Sequence, residues 1–133
     1  MVTNNTTLGI VLVDHGSQHA DANDMLIEVA RVLRETLGTA IVEHAHMELA
    51  EPTIEQAFAA CVARGAEHIV VHPYFLAPGR HSTVDIPRLS ADAAARFPGV
   101  THAVTEPLGL EDRMIDVVLH RIERALMPEP SRR

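Results

Sequence analysis

Short apolar runs alternate along the chain with longer segments in which apolar residues recur at helical spacing. Leu8 to Val13 is a continuous apolar run that ends at Asp14, which predicts a strand buried on both faces of a sheet. From Ala22 to Leu37 the apolar positions follow a helical period, and Gly38 marks the end of the predicted helix. The chain is therefore expected to begin with a strand followed by a helix.

The same alternation continues to the carboxyl end. Four strands that are each followed by a helix predict an α/β fold, a doubly wound four-stranded parallel sheet with helices on both faces. A chain of 133 residues fits one such domain, with a core from about residue 8 to 126 and a tail at 127–133. The further strands are predicted at Ala40 to Ala45, His68 to His72 and Val100 to Thr105, and the further helices from Pro52-Thr53 to Arg64, from Asp85 to Phe97 and from Leu110 to Leu126, with a long loop over Pro73 to Ser82.

Composition narrows the class of protein. Hydrophobic residues make up 47% and charged residues 22% of the chain, which is typical of soluble globular proteins. No apolar run approaches the roughly 20 residues needed to span a bilayer, and the chain starts with polar residues, so we expect a cytoplasmic protein without a membrane partner. The net charge of −7 argues against a nucleic-acid partner, because phosphate binding needs a basic stripe.

The cysteine and arginine content limits the ligands that a site can use. Cys61 is the single cysteine of the sequence, so an internal disulfide and a thiol cluster are both excluded. Any metal must then rely on nitrogen and oxygen ligands. All 11 basic residues are arginines, each able to bind a carboxylate through two parallel hydrogen bonds. A small acidic ligand is therefore compatible with the composition.

Three candidate metal ligands follow three consecutive predicted strands. His15 comes directly after the first strand, Glu48 just past the second, and His81 in the loop after the third. In such a sheet ligands bind beyond the carboxyl ends of the strands, where these loops converge. Two imidazoles and one carboxylate suit cobalt, nickel, ferrous iron or zinc and leave coordination positions open. The alternative is that each histidine only anchors its own loop through a hydrogen bond.

Two further histidines lie on the second strand. His44 and His46 are two residues apart and share a strand face, so they form either a metal pair or a pair of packed side chains. We favour packing for His44. His46 lies nearer the loop and Glu48, and it is expected either to support the site or to contact a substrate. No role is assigned to His19, His68, His102 and His120.

Several motifs together resemble one enzyme family. The stretches are VLVDHGS at 11–17, AHMELAEP at 45–52, PYFLAPGRH at 73–81 with DIP at 85–87, and the shorter ADAA at 91–94 and PLG at 107–109. In them the sequence resembles the small class II chelatases, the CbiX/SirB sirohydrochlorin chelatases, and within them the short ferrochelatases of siroheme synthesis. The resemblance covers Gly9 to Leu126 and includes all three candidate ligands.

The resemblance implies an activity and its central residues. It implies a lyase that inserts a divalent metal, Fe2+ or Co2+ with Ni2+ as a further candidate, into sirohydrochlorin for siroheme or cobalamin biosynthesis, without ATP. The metal is then a substrate, and no permanently bound cofactor is expected. His15 and His81 match the catalytic and metal-binding pair of the family, and Glu48 matches the carboxylate that completes the metal site. A neutral histidine facing the ring could also remove pyrrole N–H protons.

Substrate binding would use groups that hold carboxylates, since tetrapyrroles of this type are acidic. Arg80, adjacent to His81, is the expected cation, and Ser17 and Gln18 add hydrogen bonds near the start of the first helix. His46 is the fourth candidate contact. Many relatives carry an arginine where Gln18 stands, so one carboxylate contact of the family is absent or moved here.

Three further expectations complete the comparison with the family. Plant members carry extra cysteines for an iron–sulfur cluster, and with Cys61 alone no cluster is expected. Longer relatives contain two such domains facing one cleft, so a chain of this length implies a homodimer. A metal or tetrapyrrole carrier without turnover would use the same ligands and stays open. A histidine phosphatase is disfavoured, because an arginine precedes the histidine in that class, whereas Asp14 would repel phosphate here.

Overall fold

Four parallel strands and four α-helices alternate along the part of the chain that the structure describes. The computed structural model describes residues 7–38 and 40–127, and for residues 81 and 82 it describes the backbone alone. The predicted tail, apart from residue 127, lies outside the described residues. The elements are β1 (Leu8–Asp14), α1 (Ala20–Leu37), β2 (Ile41–His46), α2 (Ile54–Ala63), β3 (His68–Pro73), α3 (Ile86–Ala94) after a π-helical turn (His81–Asp85), β4 (Thr101–Val104) and α4 (Asp112–Leu126).

The strands form one sheet in the order β2-β1-β3-β4, with every pair parallel. Helix α1 covers one face through Leu26 and Ala30, which pack on Leu12 and Val42. Helices α2 and α3 cover the other face, where Phe58 is fully buried in the larger core cluster. The predicted parallel sheet with helices on both faces is confirmed, and the carboxyl ends of β1, β2 and β3 lie side by side.

Helix α3 is shorter than predicted at its carboxyl end and is preceded by a wider turn. The sequence pattern predicts a helix from Asp85 to Phe97, whereas α3 ends at Ala94, with a turn leading to Pro98. The residue before a proline disfavours the α conformation, which ends the helix early. Pro87 also lacks the N–H that an α-helix would direct to Thr83, and its ring would clash there. The π-helical turn ahead of α3 accommodates this proline.

Helix α4 leaves the domain at the carboxyl edge of the sheet. After β4, the N–H of Leu108 donates to the carbonyl of Phe75 (2.9 Å) and the N–H of Gly109 to that of Leu76 (2.7 Å). These bonds attach the connection to the loop that follows β3. None of the residues of α4 is buried. No described helix, α4 included, combines the length and apolar character needed to cross a bilayer.

Cys61 lies in the core far from this edge, against Gly9 near the amino end of β1. A Cβ at Gly9 would stand 3.3 Å from the Cys61 sulfur, and burial raises the pKa of the thiol to about 12. A thiol with so high a pKa is protonated at neutral pH and is therefore a poor nucleophile and metal ligand.

We expect Cys61 to be inert to an aqueous disulfide reagent such as Ellman's reagent in the native protein. One equivalent should react at once when guanidinium unfolds the chain, because the thiol is then in water. Ala59→Cys, at an exposed position of the same helix, is the control and should react in the native state. Rapid modification of native wild-type protein would show that the Cys61 packing is wrong.

Candidate metal site

The loop after β1 is built on a buried support. Asp14, the last residue of β1, accepts a hydrogen bond from the Gly16 N–H (3.0 Å), and its Oδ1 lies 2.5 Å from Nδ1 of His46. His46 is only 1% exposed. The carboxylate of Asp14 is thus held from below by an imidazole and in turn holds the turn that carries His15. Of the two roles expected for His46, this burial favours support of the site over direct contact with a substrate.

His15 stands exposed above this support and packs on the third loop. Its ring stacks on Phe75, with ring centroids 4.1 Å apart and planes 15° apart. Phe75 follows β3 and is itself 7% exposed, so it forms a fixed platform. Stacking uses a face of the imidazole, and the two ring nitrogens lie at the edge of the ring. The loops after β1 and β3 therefore meet at His15.

Glu48 is brought next to His15 by backbone hydrogen bonds. The N–H of Met47 donates to the carbonyl of Asp14 (2.9 Å), and the N–H of Glu48 donates to the carbonyl of His15 (3.1 Å). The two loops thus continue the pairing of β1 and β2 beyond the sheet. The side chain of Glu48 is exposed at the same edge.

Gly16 allows this close approach. Its φ is +91°, in the region that favours glycine, and a Cβ there would stand 1.9 Å from the carbonyl oxygen of Glu48. The same Cβ would lie 3.0 Å from the Cβ of His46. No other residue fits between the two loops, which explains the His-Gly pair of the first motif in physical terms.

The third predicted ligand, His81, begins the π-helical turn His81–Asp85. Thr83, two residues further along, bonds back to the loop before His81: its N–H and its hydroxyl both donate to the carbonyl of Gly79 (2.9 and 2.7 Å). Among the described side chains, which do not include that of His81, no three histidine, cysteine or carboxylate groups are arranged to hold a metal ion. The ligand set His15, Glu48 and His81 therefore stays a prediction.

The predicted substrate contacts occupy the turn before α1 and the loop before His81. Ser17 is part of that turn, since its hydroxyl accepts from the N–H of His19 (2.9 Å) and its own N–H donates to Oδ1 of Asn23 (3.0 Å). Gln18 and Arg80 have exposed side chains. Their contacts with a substrate remain predictions.

His44 packs as favoured from the sequence. Its ring meets that of His46 edge to face, with centroids 5.6 Å apart and planes at 71°. Burial, followed by the nearby His46, lowers the pKa of His44, so the ring is held neutral at neutral pH. The two imidazoles form a packed pair under the site.

Sequence reasoning missed two supporting residues. From the sequence, Asp14 served only as an argument against a phosphate-binding site. It is the last residue of β1 and is paired in register with His46. That register was the signal that could have revealed the contact. Phe75 lies in the third motif, but its stacking on His15 depends on how two loops meet and has no signal in the chain alone.

The fold and the site define a class of protein, a parallel α/β domain that presents a histidine and a carboxylate together on adjoining carboxyl-edge loops. The chain belongs to the CbiX family, whose model matches residues 9–125.

The curated relatives are named as sirohydrochlorin chelatases for iron or cobalt. The chain is 51% identical to the chloroplastic sirohydrochlorin ferrochelatase of Arabidopsis thaliana, over 89% of this chain and 52% of that protein. It is 33% identical to the sirohydrochlorin cobaltochelatase of Methanococcus maripaludis, over 84% of this chain and 95% of that protein. The structure of SirB from Bacillus subtilis with Fe3+ superposes with a TM-score of 0.85 at 32% identity, over 92% of this chain and 49% of that one.

The coverage differs between these relatives. The chain spans about half the length of the ferrochelatases that it matches, including those of Priestia megaterium and Bacillus subtilis. It spans nearly all of the archaeal cobaltochelatase. The family thus includes proteins about as long as this domain and proteins about twice as long.

Proposed function

We propose that this protein is a sirohydrochlorin chelatase that inserts Fe2+ or Co2+ into sirohydrochlorin, the step that leads to siroheme or cobalamin. The observation that carries the proposal is the bond from the Glu48 N–H to the His15 carbonyl, which holds a histidine and a carboxylate together at the carboxyl edge of a CbiX-family domain. The iron and cobalt named for its relatives define the metal class.

The reaction follows from the chemistry of these groups. The divalent ion is a substrate, held by His15, Glu48 and His81 through nitrogen and oxygen while its other positions carry water. The macrocycle approaches from the open side, and its nitrogens replace water on the ion. The macrocycle loses two pyrrole N–H protons as the ion enters it; a neutral histidine accepts one of them, and water at the open edge accepts the other. The ion is released from the protein because three ligands on an open edge do not enclose it.

The remaining site residues position the substrate and the ligands. Arg80 binds a carboxylate of the macrocycle as a charge-assisted pair, and Ser17 and Gln18 add hydrogen bonds beside the start of α1. Asp14 and His46 hold the turn that carries His15 in place and do not contact the macrocycle. Gln18, a neutral amide, would bind a carboxylate less strongly than Arg80.

The active assembly proposed is a homodimer with one tetrapyrrole per pair of chains. The carboxyl edge of one four-stranded sheet is shallow, whereas ligand sites usually enclose most of their ligand. Two-fold pairing, the commonest soluble assembly, would face two such edges across one cleft. The half-length coverage of the longer relatives supports this arrangement.

An anaerobic insertion assay tests the proposed reaction. Purified protein is mixed with sirohydrochlorin and Fe2+, Co2+ or Ni2+ in turn, and the visible spectrum of the macrocycle is followed. Insertion faster than in the protein-free control is expected with iron or cobalt. Tight binding of metal or macrocycle with rates equal to that control would instead support the carrier, the second function that uses the same ligands.

Glu48→Gln is expected to weaken metal binding by about tenfold or more while leaving sirohydrochlorin binding unchanged. The amide keeps the shape of the side chain but loses the anionic oxygen that a divalent ion prefers. Titration with Co2+ in the absence of macrocycle measures this change. Glu51→Gln, an exposed carboxylate on the same loop, is the matched control. Equal Co2+ affinity for the Glu48 variant and wild type would remove Glu48 from the metal site.

A further inference from the structure

Leu49 is held in a backbone conformation that leucine rarely adopts. Its φ is +72°, in the left-handed region, which is unfavourable for a residue with a Cβ and a bulky side chain. At each other position of positive φ in the part of the chain that the structure describes, a glycine is present. The loop after β2 therefore carries a leucine at a position where glycine would relieve the strain.

The turn itself does not require a leucine side chain. The loop after β2 is closed by a bond from the His46 N–H to the carbonyl of Pro52 (2.8 Å), and its first two residues are bonded through their N–H groups to the end of β1 and the loop after it. All of these bonds use backbone atoms alone. The side chain of Leu49 is 61% exposed and lies outside the core clusters. Backbone bonds and core packing thus do not account for a leucine at this position.

Leu76 occupies the corresponding place on the loop after β3. Its side chain is 67% exposed, although its carbonyl accepts a hydrogen bond (2.7 Å) from the connection that leads to α4. It directly follows Phe75, the platform on which His15 stacks. Leu49 in the same way directly follows Glu48. Both loops thus present an exposed leucine next to a residue of the candidate site.

The order of the strands places the metal site between the two leucines. Strand β1 lies between β2 and β3, so the loop that carries His15 lies between the loops that carry Leu49 and Leu76. Neighbouring strands are about 4.8 Å apart, so the two outer loops start on the order of 10 Å apart. The width of a tetrapyrrole ring is of the same order. An ion held at His15 would therefore have an apolar side chain on the loop to either side of it.

A tetrapyrrole of the acidic type offers two kinds of surface to a protein. Its carboxylates lie at the periphery and call for a cation such as Arg80, whereas the face of its conjugated ring is apolar. A ring whose nitrogens take up an ion presents its face to the ligands that hold the ion. Side chains beside those ligands therefore meet the ring face, where burial of apolar surface is favourable.

We propose that Leu49 and Leu76 are substrate-binding residues that contact the face of the macrocycle on opposite sides of the ion. This inference rests on the proposed function, which supplies the macrocycle. It accounts for the strained leucine, because glycine at position 49 would remove the strain and the contact together. The two leucines determine the affinity for the macrocycle, while the affinity for the ion is left to its ligands.

Leu49→Asn separates the apolar character of this side chain from its size. Asparagine is nearly as large as leucine and adopts the left-handed region more readily. The variant should unfold at an equal or higher guanidinium concentration than wild type and bind metal-free sirohydrochlorin about tenfold more weakly. A titration followed by the visible spectrum of the macrocycle measures this affinity. A residue with only a structural role would not combine unimpaired stability with weaker binding.

Leu76→Asn tests the opposite side of the site and should weaken sirohydrochlorin binding by a similar factor. In both variants the KM for sirohydrochlorin should rise while kcat and the Co2+ affinity stay unchanged, because the contact is made equally in the ground state and the transition state. Leu37→Asn is the matched control. It removes an exposed leucine from the last residue of α1, at the opposite edge of the sheet, and should bind sirohydrochlorin as wild type does.

The outcomes distinguish this inference from the proposed function. A wild-type protein that binds no sirohydrochlorin would overturn both. Wild type that inserts metal, together with a folded variant of either leucine that binds sirohydrochlorin as tightly as wild type, would overturn the two-sided contact alone. The ratio of wild-type to variant affinity should also be the same at low and high salt, because an apolar contact is not screened. A ratio that falls to one at high salt would show an effect on charged groups and would overturn the ring contact.

Discussion

His15→Ala is expected to lower the rate of metal insertion by about a hundredfold or more while the protein stays folded. General acid–base groups contribute about 10²–10⁴ in rate, and this side chain is also a predicted metal ligand. The fold should survive because His15 is exposed beyond the end of β1 and contacts the scaffold through its stacking on Phe75. The same loss of insertion is expected for His81→Ala, which begins the turn before α3.

Steady-state insertion of Co2+ into sirohydrochlorin, with circular dichroism as the check on folding, measures both effects. His19→Ala is a suitable control, because His19 is exposed and its side chain does not cap α1. It should retain wild-type rates. A folded His15→Ala protein that inserts metal at a near-normal rate would exclude this residue from the chemistry, and the same holds for His81.

Gly16→Ala is expected to separate the His15 and Glu48 loops and to lower the free energy of unfolding by about 2–6 kcal/mol. A positive φ costs a residue other than glycine about 1–3 kcal/mol, and overpacking adds about 1–3 kcal/mol. The overpacking here is severe, since the new Cβ would stand 1.9 Å from a backbone oxygen. Insertion activity should fall with stability, because the bond from the Glu48 N–H to the His15 carbonyl breaks.

Gly65→Ala separates the cost of a positive φ from the cost of overpacking. Gly65 has a φ of +101°, but a methyl group added there would meet no atom within 4 Å. The substitution should therefore show the cost of the positive φ alone, about 1–3 kcal/mol, with full activity. Guanidinium denaturation of both variants measures the difference. Equal losses of stability for Gly16→Ala and Gly65→Ala would contradict the close approach of the two loops.

The strands and the loops that carry the site were predictable from the chain, because they depend on local patterns. An apolar run that stops at Asp14 fixes where β1 ends, and the carboxyl-edge rule then places His15 and Glu48 on neighbouring loops. The contacts beneath the site were not predictable in this way. The hydrogen bond between Asp14 and His46 requires the register of β1 on β2, and the stacking of His15 on Phe75 requires the meeting of two loops.

Helix α4 shows what hydrophobic periodicity predicts about a helix and what it leaves open. Its apolar stripe predicted the helix to within two residues at its start and correctly at its end. The stripe predicts a helix with one apolar face, and in the structure no residue of that helix is buried. The place where α4 leaves the domain depends on two hydrogen bonds that attach residues 108 and 109 to the third loop, and these bonds join segments distant in sequence.

Glu48 is attached to the His15 loop through its backbone and not through its carboxylate. Its described contacts with the His15 loop run through the backbone N–H, and the carboxylate itself is exposed. The conformation of the two loops therefore does not depend on which side chain stands at position 48. Aspartate, histidine or glutamine is therefore expected to fit at this position without disturbing the turn, because the glycine at position 16 and the backbone hydrogen bonds hold the two loops together. If Glu48 binds the ion as proposed, a single substitution here would change the metal preference and leave the fold intact.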